Sequence, residues 1–136
     1  MTMHRSSAAI VAAVTATVGT RFRTQGRLPG VGLDCVGVAL VAAAAAGCAA
    51  TVPPYALGGD HEARLDDFVA AIGCTRVAAP APGDLLVVAP ALHRRHLAVV
   101  VPGGVVHAHA GLGRVVAGPL DPAWVTIAAW RFPERI

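Results

Sequence analysis

Residues 19–37 read Gly19-Thr20-Arg21-Phe22-Arg23-Thr24-Gln25-Gly26-Arg27-Leu28-Pro29-Gly30-Val31-Gly32-Leu33-Asp34-Cys35-Val36-Gly37 and lead into an apolar run that lasts to Ala50. Four glycines and Pro29 make the first part a polar loop ending at Leu33. Asp34 is a good helix opener, and the run Val36 to Ala50 reads as a fully buried central helix. It is too short for a bilayer, which takes ~20 residues, and Gly37 and Gly47 interrupt it. Cys35 therefore falls in the first turn of a buried helix. Free amides and the helix dipole there favour a thiolate, and the same amides can donate to a developing oxyanion. The competing reading makes Cys35 one more small hydrophobe, as Cys48 is.

On the N-terminal side, Ala8 to Val18 reads as a short helix. Ser6 or Ser7 is its cap, and Ile10, Val11, Val14 and Val18 line one side. A signal peptide fits less well, because Ser6, Ser7, Thr15 and Thr17 break the run and no small-x-small cleavage site follows. Ala46-Gly47-Cys48 resembles a lipoprotein cleavage site but lies too deep in the chain. On the C-terminal side, Pro53-Pro54 and Gly58-Gly59 mark a break. Asp60 to Ile72 then reads as an amphipathic helix, with Leu65, Phe68, Val69 and Ile72 inward, Glu62, Asp66 and Asp67 outward, and Gly73 as its stop. From Pro80 onward short Val-rich runs alternate with turn residues: Leu85–Val88, His96–Val101, Val105–Ala108, Arg114–Ala117 and Val125–Arg131. Pro102-Gly103-Gly104 joins two of them as a tight hairpin. Helices first and antiparallel strands second predict an α+β fold in a single domain, 1–136, without repeat or linker.

With 136 residues, 55% of them apolar, the chain has one core and is not a disordered polymer. Only 4% are aromatic, which leaves few platforms for stacking nucleic-acid bases. All eleven basic residues are arginines, and they are scattered rather than arranged as a stripe, so no nucleic-acid partner is expected. The net charge of +3 favours an anionic surface only weakly. Arg, Ala, Val and Gly enrichment without lysine is also the mark of a GC-rich genome. Three cysteines, Cys35, Cys48 and Cys74, make no disulfide framework, and one reactive thiol with two buried ones is the simplest reading.

The histidines add to Cys35. His96 opens a strand, and His107 follows 11 residues later across the hairpin. His107 and His109 share a strand face, and pairing can bring His96 beside one of them. A base imidazole held by a second polar group is the logic of activated nucleophiles. His4, His61 and His93 read as solvent-facing. On paper His93, His96, His107 and His109 with a cysteine make a zinc set, but their spacing fits no short zinc motif and no metal or cofactor is expected.

These segments together resemble the NlpC family of papain-like peptidoglycan peptidases. The family carries Gly-Thr-Pro-Tyr, a Gly-rich loop, then Asp-Cys-Ser/Val-Gly opening its central helix. Gly19 to Gly37 is similar to that region, Pro82-Gly83-Asp84-Leu85 to its turn into the core sheet, and His96-Leu97-Ala98-Val99-Val100 with Val106-His107-Ala108 to its base and orienting strands. The resemblance implies Cys35 as nucleophile, His96 as general base and acid, and His107 as the group that orients it, with His109 as the alternative. It places Phe22, Gln25 and Asp34 around the substrate or oxyanion. Phe22 stands where the family has a tyrosine, a change expected to lower activity or shift specificity, with Gln25 as the candidate substitute donor. The implied substrates are wall stem peptides, cut between D-glutamate and diaminopimelate; the related acyltransferase and amidase activities use the same thiol and histidine.

The loop Gln25 to Gly30 and the closing Trp130-Arg131-Phe132-Pro133 resemble the short phage-type branch. That implies a tail tip or baseplate of a phage-like particle as the location, with the bacterial cytoplasm before assembly or secretion as the alternatives, and hub or baseplate proteins as partners, with no membrane span. A peptidase fold kept as a catalytically degenerate adaptor or plug in a tail hub is the competing function.

Overall fold

The computed structural model describes residues 5–48 and 69–133. Of the expected Asp60–Ile72 helix, residues 60–68 lie outside the described residues. Its end is helical, with Val69 and Ile72 buried in the core and Gly73 stopping it at φ 91°. His4 and His61 also lie outside.

Two helices precede the main sheet. Helix α1 spans Arg5–Thr15 and buries Ile10 and Val14. It starts before Ser6, so neither serine caps it, and it stops at Thr15. The hydroxyl of the buried Thr17 donates to the Val14 carbonyl at 2.6 Å. Val18, expected on the apolar side, lies past the helix and is exposed. Helix α2 spans Cys35–Ala45 and is buried along most of its length, including Val36, Val38, Ala39, Ala42 and Ala43. It is shorter than the apolar run suggested. Gly47, at φ 83°, takes the left-handed conformation that closes the helix, with the Cys48 amide donating to the Ala43 carbonyl. An apolar run alone cannot reveal that stop, because buried helix and buried loop have the same composition here.

Between the helices, β1 (Arg27–Leu28) and β2 (Gly32–Leu33) form a small antiparallel pair. After α2 come β3 (Thr75–Arg76), β4 (Leu85–Ala91), β5 (Arg94–Val101), β6 (Gly104–His109), β7 (Arg114–Gly118) and β8 (Val125–Arg131). They make one six-stranded sheet in the order β3-β8-β4-β5-β6-β7, with every pair antiparallel. The strands fall where the Val-rich runs predict them. Pro102 and Gly103 close the β5–β6 hairpin, with Val101 opposite Gly104. The α+β class is as expected.

Strand alternation divides the core in two. Leu85, Val87, Leu97, Val99, Val106, Ala108 and Val115 pack with α1 and α2. Leu86, Val88, Ala98, Val105 and Ala129 form a second, smaller cluster, closed by Val77, Val100, Leu120 and Trp124. The sheet is thus apolar on both faces over its central strands, which explains why β4 reads as a continuous hydrophobic run. The Pro82-Gly83-Asp84 turn is pinned to the last strand. Buried Asp84 accepts from the Ala81 amide and takes a two-pronged ion pair from Arg131, at 3.0 and 2.8 Å. No helix of the described residues is long and apolar enough to cross a membrane.

Candidate functional site

Asp34 builds the start of α2. Its carboxylate is buried and accepts from the Gly37 amide at 2.8 Å as N-cap. It also accepts from the Gln25 amide at 2.7 Å and from Arg27 Nη1 at 3.0 Å. One side chain thereby fixes the helix end and the loop in front of it. Gly37 is needed for the same contact: a Cβ there would run into the Gly26 carbonyl. Gln25 sits at φ 58°, a conformation that costs a non-glycine residue about 1 kcal/mol and that its tie to Asp34 offsets. Asp34 and Gln25, placed at the substrate or oxyanion by resemblance, therefore meet each other inside the loop.

Cys35 follows directly, with its sulfur among the backbone groups of Leu97, Val36 and Cys35 itself. Leu97 is the residue after His96 on β5. The β5–β6 pairs run from Val101 and Gly104 only to Val99 and Val106, and Leu97 lies beyond the last of them. Although Cys35 keeps part of its surface in solvent, burial pushes its thiol up to about 11. The Leu97 backbone opposes that shift, and the Asp34 charge adds to it. The helix start was expected to favour the thiolate; burial outweighs it.

His96 and His107 come together as the hairpin suggests. His96 Nε2 and His107 Nδ1 lie 2.9 Å apart in a hydrogen bond. Burial lowers His96 to about 3, helped by His107 and His109, and burial also lowers the mainly enclosed His107. Both imidazoles are neutral at pH 7. No hydrogen bond joins Cys35 to His96 among the described residues, and His96 Nε2 is already engaged by His107. His109 accepts at Nδ1 from the Leu112 amide at 3.0 Å, which leaves the proton on its Nε2. Its ring lies 5.7 Å from that of His107, so His107, not His109, is the hydrogen-bonded partner of His96.

Trp124 was not singled out from the sequence. It sits in a turn before β8, where its amide donates to the Asp121 carbonyl. Its ring meets His96 and His107 edge-on, with centroids 5.3 and 5.4 Å away, and it walls off the imidazole pair. One of only two tryptophans, placed in a turn, was the available signal. Phe22 packs against the helix-side core and bridges Leu33 through its backbone. Exposed His93 takes no part. Among the described residues no group of three or more His, Cys, Asp or Glu side chains is placed to hold a metal. Cys48 is buried and Cys74 is pushed up to about 12 by burial and by Cys48.

These shifts set the pH dependence of stability. Below 6.5 the unfolded chain protonates a His96 that the fold keeps neutral, so stability falls as pH drops from 6.5 toward about 3. Above 9.0 the unfolded chain releases the Cys35 proton that the fold retains, so stability falls again as pH rises toward about 11. Thermal unfolding across pH is expected to give a plateau between these limits. His96→Gln is expected to flatten the acid arm.

A scan against protein-family models and a search of curated proteins both return no match.

Proposed function

We propose that this protein is a thiol hydrolase of peptidoglycan stem peptides, with Cys35 as nucleophile, His96 as base and His107 as the group that orients it. The observation that carries this reading is the imidazole pair at 2.9 Å on β5 and β6, with the backbone of Leu97, the residue after His96, acting on the Cys35 thiol. Cys35 packs with the helix-side core and His96 faces the other side of the sheet, so attack requires the thiol and imidazole to meet at the edge between α2 and β5. When His96 Nε2–H donates to His107 Nδ1, His96 Nδ1 is left as a lone pair for the thiol proton. Because both groups rest neutral, proton transfer accompanies attack rather than preceding it. The sulfur adds to the amide carbonyl carbon, and amides at the start of α2 receive the oxyanion. His96 passes the proton to the departing amine, giving an acyl-enzyme. Water then attacks the thioester, yields its proton to His96, and the thiol is restored. Resemblance to the phage-type branch favours the D-glutamyl–diaminopimelate bond, and a tail tip or baseplate as the place of action. Digestion of purified peptidoglycan with mass-spectrometric identification of the fragments tests this. Stem-peptide fragments are the expected result; intact wall from several chemotypes, with folded protein, would defeat it.

The raised Cys35 thiol favours a second reading, a non-catalytic adaptor of the same fold in a tail hub. The two differ in peptide turnover; thiol chemistry measures the resting state they share. Iodoacetamide alkylation of Cys35 is expected to rise about tenfold per pH unit toward about 11. A plateau across neutral pH would instead reveal a preformed thiolate–imidazolium pair.

A further inference from the structure

Three arginines stand on the same side of the sheet as the imidazoles. Arg114 is the cross-strand partner of His109, and Arg21 is the antiparallel bridge partner of Arg114. Directly opposed residues project to one side of a sheet, so His109, Arg114 and Arg21 form a row across three neighbouring segments. Arg23 lies two residues beyond Arg21, on the same side, with its methylene chain laid against Gly32. The residues between them fix the phase: Phe22, Val115 and Ala108 all pack on the helix-side core. All three arginines are exposed.

The row is unfavourable as it stands. Like charges directly opposite on paired strands repel. The ion pairs Arg27–Asp34 and Arg131–Asp84 do not involve Arg21, Arg23 or Arg114. Phe22 and Val115 hold this part of the fold without needing the charges. What the three guanidinium groups gain from facing the same way is an anion. Strands lie ~4.8 Å apart, so an anion between Arg21 and Arg114 sits within two strand spacings of His109, a distance that a few peptide residues span.

We propose that Arg21, Arg23 and Arg114 form an anion subsite that holds a free carboxylate of a peptide ligand beside the His96, His107 and His109 imidazoles. The identity of the ligand rests on the peptidase reading; the anion subsite does not. The test uses Cys35→Ala protein, which binds without turnover, and isothermal titration at low salt with three probes. These are a stem peptide with free γ-D-glutamyl and diaminopimelate carboxylates, the same peptide fully amidated, and inorganic phosphate. The free peptide is expected to bind at least ~10-fold more tightly than its amide. R21Q and R114Q are each expected to remove about tenfold of that advantage and leave the amide unchanged. Added salt is expected to weaken the free peptide selectively. Phosphate binding that is lost in R21Q and R114Q, without any preference for the free peptide, would keep the anion subsite and count against the peptide ligand. No anion binding, or binding indifferent to both substitutions, would overturn the subsite whatever the wall digestion shows. A second readout is stability: R21Q is expected to raise the melting temperature of the free protein by about 1–2 °C, because a repulsion is removed. A lowered melting temperature would show the arginines serving the fold instead.

Discussion

Cys35→Ala is expected to release no stem-peptide fragments from purified peptidoglycan, a loss on the order of 10³-fold or more relative to wild type. The fold is expected to survive, because the sulfur makes no bond that holds α2 in place. The cap and loop are held by Asp34, and α2 is packed by Val36, Val38, Ala39, Ala42 and Ala43. His96→Gln is expected to act in the same direction, by roughly 10²–10⁴-fold, since a neutral thiol needs a base during attack. A wild-type rate retained by either variant, measured as fragment release per unit time, would remove that residue from the mechanism.

Asp34→Ala is expected to cause the largest loss of stability of any single substitution near the site. It removes the N-cap of α2, about 1 kcal/mol, and strands the Gln25 amide without its acceptor, about 1–3 kcal/mol more. It also leaves Arg27 without the ion pair seen at 3.0 Å. A total near 3 kcal/mol lowers the melting temperature of a domain of this size by roughly 10 °C. Asp34→Asn keeps the oxygen that caps Gly37 but turns an amide nitrogen toward Gln25, so about half of the loss is expected. Equal effects of the two substitutions in denaturant unfolding would show that charge, not acceptor geometry, carries the contribution.

The fold was largely readable because its elements carry strong local signals. Val-rich strands are bounded by Pro102-Gly103, by Gly113 and by the prolines before β8, so their positions and the β5–β6 hairpin follow from spacing, whereas the place of β8 between β3 and β4 does not. Helix ends were less readable. Ser6 and Ser7 look like caps and are not, and α2 stops inside an apolar run at a glycine that could equally have continued it. For the site, alternation put His96 on the face shared by His107 and His109, but the hairpin register, with Val101 opposite Gly104, continues to His109 opposite His96, and the choice of His107 is made by the tertiary fold. The thiol was another matter. A helix start argues for a low Cys35 value, but enclosure by the sheet raises it to about 11, and enclosure is a tertiary property that no local motif carries. Trp124 was missed for the same reason, since its contacts cross from the turn before β8 to His96 on β5 and His107 on β6. The row Arg21–Arg114–His109 depends on an isolated bridge between a loop and an edge strand, which spacing does not announce.

The most direct test of Cys35 as nucleophile is to trap the covalent intermediate. A defined stem peptide is mixed with the protein, quenched in acid within milliseconds to seconds, and the intact and digested protein is weighed by mass spectrometry. The expected result is a mass increase equal to the acyl half of the peptide, confined to the tryptic peptide that contains Cys35 and absent from Cys35→Ala. Fragment release without any adduct on Cys35, or release that persists in Cys35→Ala, would contradict a thiol hydrolase.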